Sequence, residues 1–180
     1  NQAQRLSNQT INSIIEFISN GGYSCTKLKK KLYSNNIVFL LSVFDSTKST
    51  IGNNPDEIIN DIIKSIVNYY KNDLKKSERG YQNKFMKYLN RLIDNNLSWK
   101  YLSYSDKFLS YEPSVRCIPI GYFYQGKANF QNLMKISINS SRVTHNNAIS
   151  YLSGFTSAYF CALAIENQDP VTWIQKLIKL

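Results

Sequence analysis

The sequence predicts an all-α fold, and three observations carry that prediction. Apolar residues recur at helical spacing in several segments, Asn-Pro and Asp-Pro pairs stand where helices would start, and no segment shows the strict apolar/polar alternation of a half-buried strand. Ile11, Ile14, Ile15 and Ile18 fall at i, i+3, i+4 and i+7, which gives an amphipathic helix ended by Gly21-Gly22. Residues 37–44 form a continuous apolar run whose periodicity fits a strand or a buried helix equally. Asn54 then stands as an N-cap and Pro55 at the first helical position, ahead of a stripe formed by Ile58, Ile59, Ile62, Ile63, Ile66 and Tyr70.

Gly80 breaks the pattern, and Phe85, Tyr88, Leu89, Leu92 and Ile93 mark the next helix. Residues 95–113 form an aromatic, Ser-rich loop holding Trp99, Tyr101, Tyr104, Phe108 and Tyr111, too long for a simple connector and therefore expected to fold onto the body. Further helices are expected over 114–124, 130–139, 147–166 and from 171 onward, the last capped by Asp169 with Pro170 at its start. The core positions expected from this segment are Ile118, Ile120, Leu133, Ile136, Val143, Tyr151, Leu152, Phe155, Ala158, Ala162 and Ala164. No internal repeat is present.

A chain of 180 residues can bury one sizeable core, so a single domain over 1–180 is expected. It starts at Asn1 with no signal-peptide pattern, which suits an internal segment, and no uninterrupted apolar stretch has the length of a bilayer span. Cys25, Cys117 and Cys161 are few, odd in number and widely spaced, which points to a reducing intracellular compartment. The net charge of +10 invites an acidic partner such as nucleic acid. Against this, the basic residues are dispersed, with clusters only at 27–31 and 71–76, and the abundance of Asn, Lys, Ile and Tyr matches AT-rich codon usage.

Three stretches carry a more specific signal: Arg116 to Tyr124 (Arg-Cys-Ile-Pro-Ile-Gly-Tyr-Phe-Tyr), Ser137 to His145 (Ser-Ile-Asn-Ser-Ser-Arg-Val-Thr-His) and Tyr151-Leu152-Ser153-Gly154. In order and spacing they resemble the ADP-ribosylglycohydrolase family, closest to its ADP-ribosylarginine hydrolase branch. Gly21-Gly22 and Ser34-Asn35-Asn36 match the family's Gly-Gly and Ser-Asp-Asp-Thr at a similar separation, so the resemblance runs from about Ile15 to the end. It implies a partial, degenerate copy of a compact orthogonal helical bundle, with the family's C-terminal part absent, and it turns 37–44 into a helix capped by Ser34 or Asn35.

The same resemblance implies where chemistry would sit. Active relatives hold magnesium through the acidic pair after the Ser, and this chain has neutral Asn35 and Asn36 there, with Ile37 in place of Thr. Hard divalent cations need anionic oxygen, so no cofactor is expected here, magnesium belonging to the active relatives. The family's Gly-rich phosphate loop is replaced by residues 110–115, in which Tyr111, Glu112 and Pro113 add bulk and charge and remove an N–H, leaving Arg116 as the one candidate ligand contact. His145, the only histidine, takes a packing role, and Thr144 the N-cap of the following helix.

These substitutions give the expectation of a non-catalytic ADP-ribosylglycohydrolase-like domain acting as a structural or interaction subunit. Protein partners would belong to a larger cytoplasmic, ciliary, cytoskeletal or mitochondrial assembly, met through Trp99, Tyr101, Tyr104 and Tyr111, with no membrane contact. The alternatives are an active magnesium-dependent ADP-ribosyl-acceptor hydrolase, a non-catalytic ADP-ribose binder, and a basic nucleic-acid-binding module.

Overall fold

In the computed structural model the residues described are 19, 34–74, 98–101, 103–104 and 109–180, and the chain divides into two compact units, 1–32 and 33–180. The expected helices at 11–18 and 85–93, Gly80 and Phe108 lie outside the described residues, and everything below concerns the unit 33–180.

The described residues are helical, with no strand among them. Helix α1 spans Asn35–Ser49 and α2 spans Pro55–Asn72. Asn54 accepts the Asp56 N–H at 3.0 Å and Pro55 opens the first turn, where its missing donor costs nothing. The isoleucine stripe of α2 is fully inward: Ile58, Ile59, Ile62, Ile63, Ile66 and Val67 are all buried, each contributing ~1.5–3 kcal/mol by leaving water. The run at 37–44 is helical, as the resemblance implied, and Val38, Phe39 and Val43 face the core.

A 3₁₀ turn at Trp99–Tyr101 precedes α3 (Glu112–Arg116) and α4 (Ile118–Phe123). The single helix expected over 114–124 is therefore two. Pro119 has no N–H to give the Val115 carbonyl, and the axis turns at Cys117 (φ −83°, ψ −8°). Helix α5 spans Phe130–Arg142 and α6 spans Ala148–Ile165. Asn147 caps α6 by accepting from Ile149 N–H at 3.1 Å, so the cap lies three residues beyond Thr144, where it was expected. At its far end Asn167 adopts a left-handed φ of 54°, with Gln168 N–H reaching the Leu163 carbonyl at 2.9 Å, a closure that Asn tolerates better than most residues. Asp169 accepts from Val171 N–H and starts a 3₁₀ turn at Pro170–Thr172 that leads into α7 (Trp173–Ile178).

The packing closes a ring: α1 lies on α2, α3 and α4, α2 lies on α5, and α6 lies on α3, α4, α5 and α7. Two glycines permit the closest approaches. A Cβ on Gly121 would sit 1.9 Å from the Ala158 carbonyl oxygen, and one on Gly154 would sit 2.2 Å from Ser141 Oγ. Of the expected core, Ile120, Leu133, Ile136, Val143, Phe155, Ala158 and Ala162 are buried, whereas Ile118, Leu152 and Ala164 are exposed because they lie on the outer faces of α4 and α6. One described helix, α6, is long and on average apolar enough to cross a membrane, although Ser150, Ser153, Thr156 and Ser157 interrupt its apolar run. A third of the helix is buried, at Ser150, Gly154, Phe155, Ala158, Ala162 and Leu163, while Ile149, Leu152 and Ile165 are exposed.

Candidate functional site

The end of α3 and the joint between α5 and α6 bring Glu112, Arg116, Thr144 and His145 into one buried cluster. Arg116 is 1% exposed, and its Nη2 donates to Thr144 Oγ1, while Nε and Nη1 are buried without a hydrogen-bond partner. Burial pushes the Arg116 guanidinium below its usual range, opposed by Cys117 and Glu112. Thr144 Oγ1 also donates to the Ser141 carbonyl at 3.0 Å and meets His145 Nδ1 at 2.9 Å. With the single hydroxyl hydrogen on Ser141 O, Nδ1 is the donor to Thr144, and Nε2 faces Glu112 Oε2 at 3.6 Å.

Burial first, and the Arg116 charge second, lower the His145 pKa to about 3, so the ring is neutral at pH 7. Glu112 moves the other way: burial raises it above the usual carboxylate range, and Arg116 partly offsets this. A carboxyl that holds its proton longer is the fitting neighbour for a neutral imidazole. Below Arg116, the Cys117 thiol lies 3.2 Å from Ser141 Oγ and 3.7 Å from Ser140 Oγ, and burial raises its pKa. The thiol is therefore a packing group, unsuited to act as a thiolate nucleophile.

Asn35 and Asn36 stand in the first turn of α1. Ser34 occupies the cap position without a side-chain bond; instead Asn35 Oδ1 accepts the Asn36 N–H at 2.9 Å, and Asn36 Oδ1 is buried with no partner. Neutral amide oxygens are weak ligands for magnesium, and no group of three or more His, Cys, Asp or Glu side chains that could hold a metal ion occurs among the described residues. The described residues thus do not by themselves fit a magnesium site. Asp45, further along α1, accepts from the Tyr69 hydroxyl and braces α1 against α2.

Of the aromatic loop, Trp99 is 6% exposed and belongs to the core, while Tyr101, Tyr104 and Tyr111 are exposed. The loop is tied down by polar contacts: Lys100 lies 5.7 Å over the Trp99 ring and pairs with Asp56, whose second oxygen meets Lys135 at 3.0 Å. These two lysines lower the Asp56 pKa, the Lys100 hydrogen bond first. Near α6, Asn147 Nδ2 donates to the Tyr104 hydroxyl at 3.3 Å and Ser110 N–H to Ser150 Oγ at 2.9 Å. Sequence reasoning singled out Arg116 but missed its cluster; the i, i+4 spacing of Glu112 and Arg116 on one short helix was the available signal.

Among the described residues, a helical body whose α3–α4 and α5–α6 segments meet around a buried arginine is the class of protein this fold defines. Over about half its length this chain is similar to proteins named as ADP-ribosyl hydrolases. It is 32% identical over 88 residues to a mimivirus protein (Acanthamoeba polyphaga mimivirus) named as an ADP-ribosyl glycohydrolase, L444, a match covering 49% of this chain and 17% of that one. It is 35% identical over 80 residues to the ADP-ribosylhydrolase ARH1 of Dictyostelium discoideum, covering 44% of this chain and 20% of the relative. The match thus spans no more than a fifth of either relative's own length. No family model matches the chain, and no solved structure matches it. The expectation of a non-catalytic domain is overturned here: both relatives bear the names of hydrolases. Membership of a ciliary or other assembly finds no support either.

Proposed function

We propose that this chain is the part of an ADP-ribosyl-acceptor hydrolase that supplies its helical scaffold and buried polar centre. The observation that supports the reading is the 32 to 35% identity with two proteins named as ADP-ribosyl hydrolases. In this reading Arg116, at 1% exposure, acts from beneath the site. Its positive charge adds to burial in keeping His145 neutral and its bond to Thr144 fixes the α5–α6 joint, while Glu112, less deeply placed, can exchange a proton with the His145 ring. Anionic ligands for a divalent ion then come from residues other than those described, since Asn35 and Asn36 offer only amide oxygens.

The test is the release of ADP-ribose from an arginine-ADP-ribosylated peptide by the full-length protein that contains this chain, assayed with magnesium and with a chelator. Release that needs magnesium is the expected result. A folded protein that releases none under either condition overturns the reading, and saturable ADP-ribose binding without turnover would replace it with a binding function.

A further inference from the structure

We infer that Ser150 of α6, acting through Ser110, is the positioning residue that holds the Glu112 carboxyl against the His145 ring. The inference rests on the proton exchange between these two groups proposed above and names the part of the fold that sets its geometry. Helix α3 has only five residues, and Tyr111 at its cap position makes no side-chain bond. A helix that short does not hold itself, since isolated helices below ~12–15 residues are marginal in water. Its place is set by what it lies on.

It lies on one face of α6. Ser150, Gly154 and Ser157 fall at i, i+4 and i+7, and each meets a different part of the α3 segment. Ser150 Oγ, fully buried, accepts the Ser110 N–H at 2.9 Å just ahead of the helix. Gly154 lets Pro113 come so near that an added Cβ would sit 3.3 Å from the Pro113 Cβ. Ser157 Oγ donates to the Ser114 carbonyl at 2.6 Å.

A further link carries the first of these contacts to the acid, because Ser110 Oγ accepts the Glu112 N–H at 3.2 Å. The start of α3 is therefore bonded to the first turn of α6, and His145 lies just ahead of that turn. Both members of the Glu112–His145 pair, 3.6 Å apart, are thus registered against one piece of helix. The other charged or titratable groups at this junction are Arg116 on α3 and Cys117 at its end. Arg142, closing α5, is bonded to the Asn139 and Asn146 side chains, and α6 carries no Asp, Glu, Lys or Arg.

The His145 Nε2 signal of the purified full-length protein, assigned by its loss in His145→Phe and followed by nitrogen NMR against pH, tests this. That nitrogen responds to protonation of the carboxyl facing it only while the two stay in contact. In the parent a step is expected above the ordinary carboxylate range, and Glu112→Gln should abolish it. Ser150→Ala and Ser110→Ala, which each remove one link, should move the step down toward that range and shrink it, because a loosened carboxyl regains water. Ser110→Thr, which keeps the hydroxyl, should leave the step where the parent has it. No step in the parent, a step that survives Glu112→Gln, or a step unmoved in the alanine variants overturns the proposal, as does its loss in Ser110→Thr. Should Ser150→Ala fail to fold, the half-buried Ser110 decides alone. A protein that shows the step but releases no ADP-ribose loses the proposed function and keeps this positioning; one that releases ADP-ribose without the step does the reverse.

Discussion

Arg116 carries a charge into a place where only one of its three nitrogens is bonded. Taking such a group out of water is expensive, and a buried charge with most of its donors unbonded is a net cost to the fold that an apolar side chain of similar volume does not carry. Arg116→Met is therefore expected to hold or raise the urea midpoint, whereas Arg116→Ala, which adds a cavity, should lower it. A large loss of stability in Arg116→Met would mean that the guanidinium is compensated by a partner, and the account given of this cluster would fail. His145 makes a prediction of opposite kind, on pH. The unfolded chain takes up its proton near pH 6.5 and the folded chain only near 3, so stability is greatest above 6.5, falls as pH drops toward 3, and levels off below. Glu112, raised by burial, acts in the other sense, gaining stability as pH falls through its raised value. Denaturation of the parent and of His145→Phe across this range separates the two: the variant should lose a slope of about 1.4 kcal/mol per pH unit, and identical slopes would refute the neutral, buried ring.

At the scale of elements, the helix pairs differ in how they can accommodate change. A Cβ on Gly121 would meet the backbone of Ala158, so α4 must move off α6 as a unit, whereas a Cβ on Gly154 meets first the Ser141 hydroxyl, a removable atom. Gly121→Ala is expected to cost ~1–3 kcal/mol or more, with no single side-chain change restoring it. Gly154→Ala should be partly rescued by Ser141→Ala, although Cys117 Sγ at 3.1 Å and Pro113 Cβ at 3.3 Å still press on the added methyl. Thermal unfolding of the singles and the double reports this coupling, and strict additivity would count against the packing described. Sequence periodicity was enough to find α2, because a stripe of β-branched residues with an Asn-Pro start has few other readings. It was not enough for α1, whose run of apolar residues needed the family likeness to become a helix. The break at Cys117 was visible in principle in Pro119, but a proline two residues into a helix is also an acceptable starter, and only the geometry decides.

Across the whole molecule, the site was less legible than the fold. Asn35 and Asn36 stood out by their departure from a motif and Arg116 as the remaining candidate ligand contact, yet what Arg116 does depends on the groups around it, and that is a property of the α3–α5–α6 junction. Thr144 illustrates the difference: its place before an apolar helix reads as a cap, while in the fold that cap is Asn147 and the threonine hydroxyl serves a buried arginine. The loop aromatics divide in the same way, Trp99 turning inward and Tyr101 outward, a choice that the Lys100 between them does not encode.

Helix α6 has one further consequence, which concerns time. It is the most apolar described helix and it touches α3, α4 and α5, all of which precede it in the chain. A ribosome delivering residues in order releases the three helices that will cover it before α6 itself emerges. Its span-like surface therefore meets waiting neighbours within moments of synthesis, and the interval in which insertion machinery could take it for a membrane segment is short.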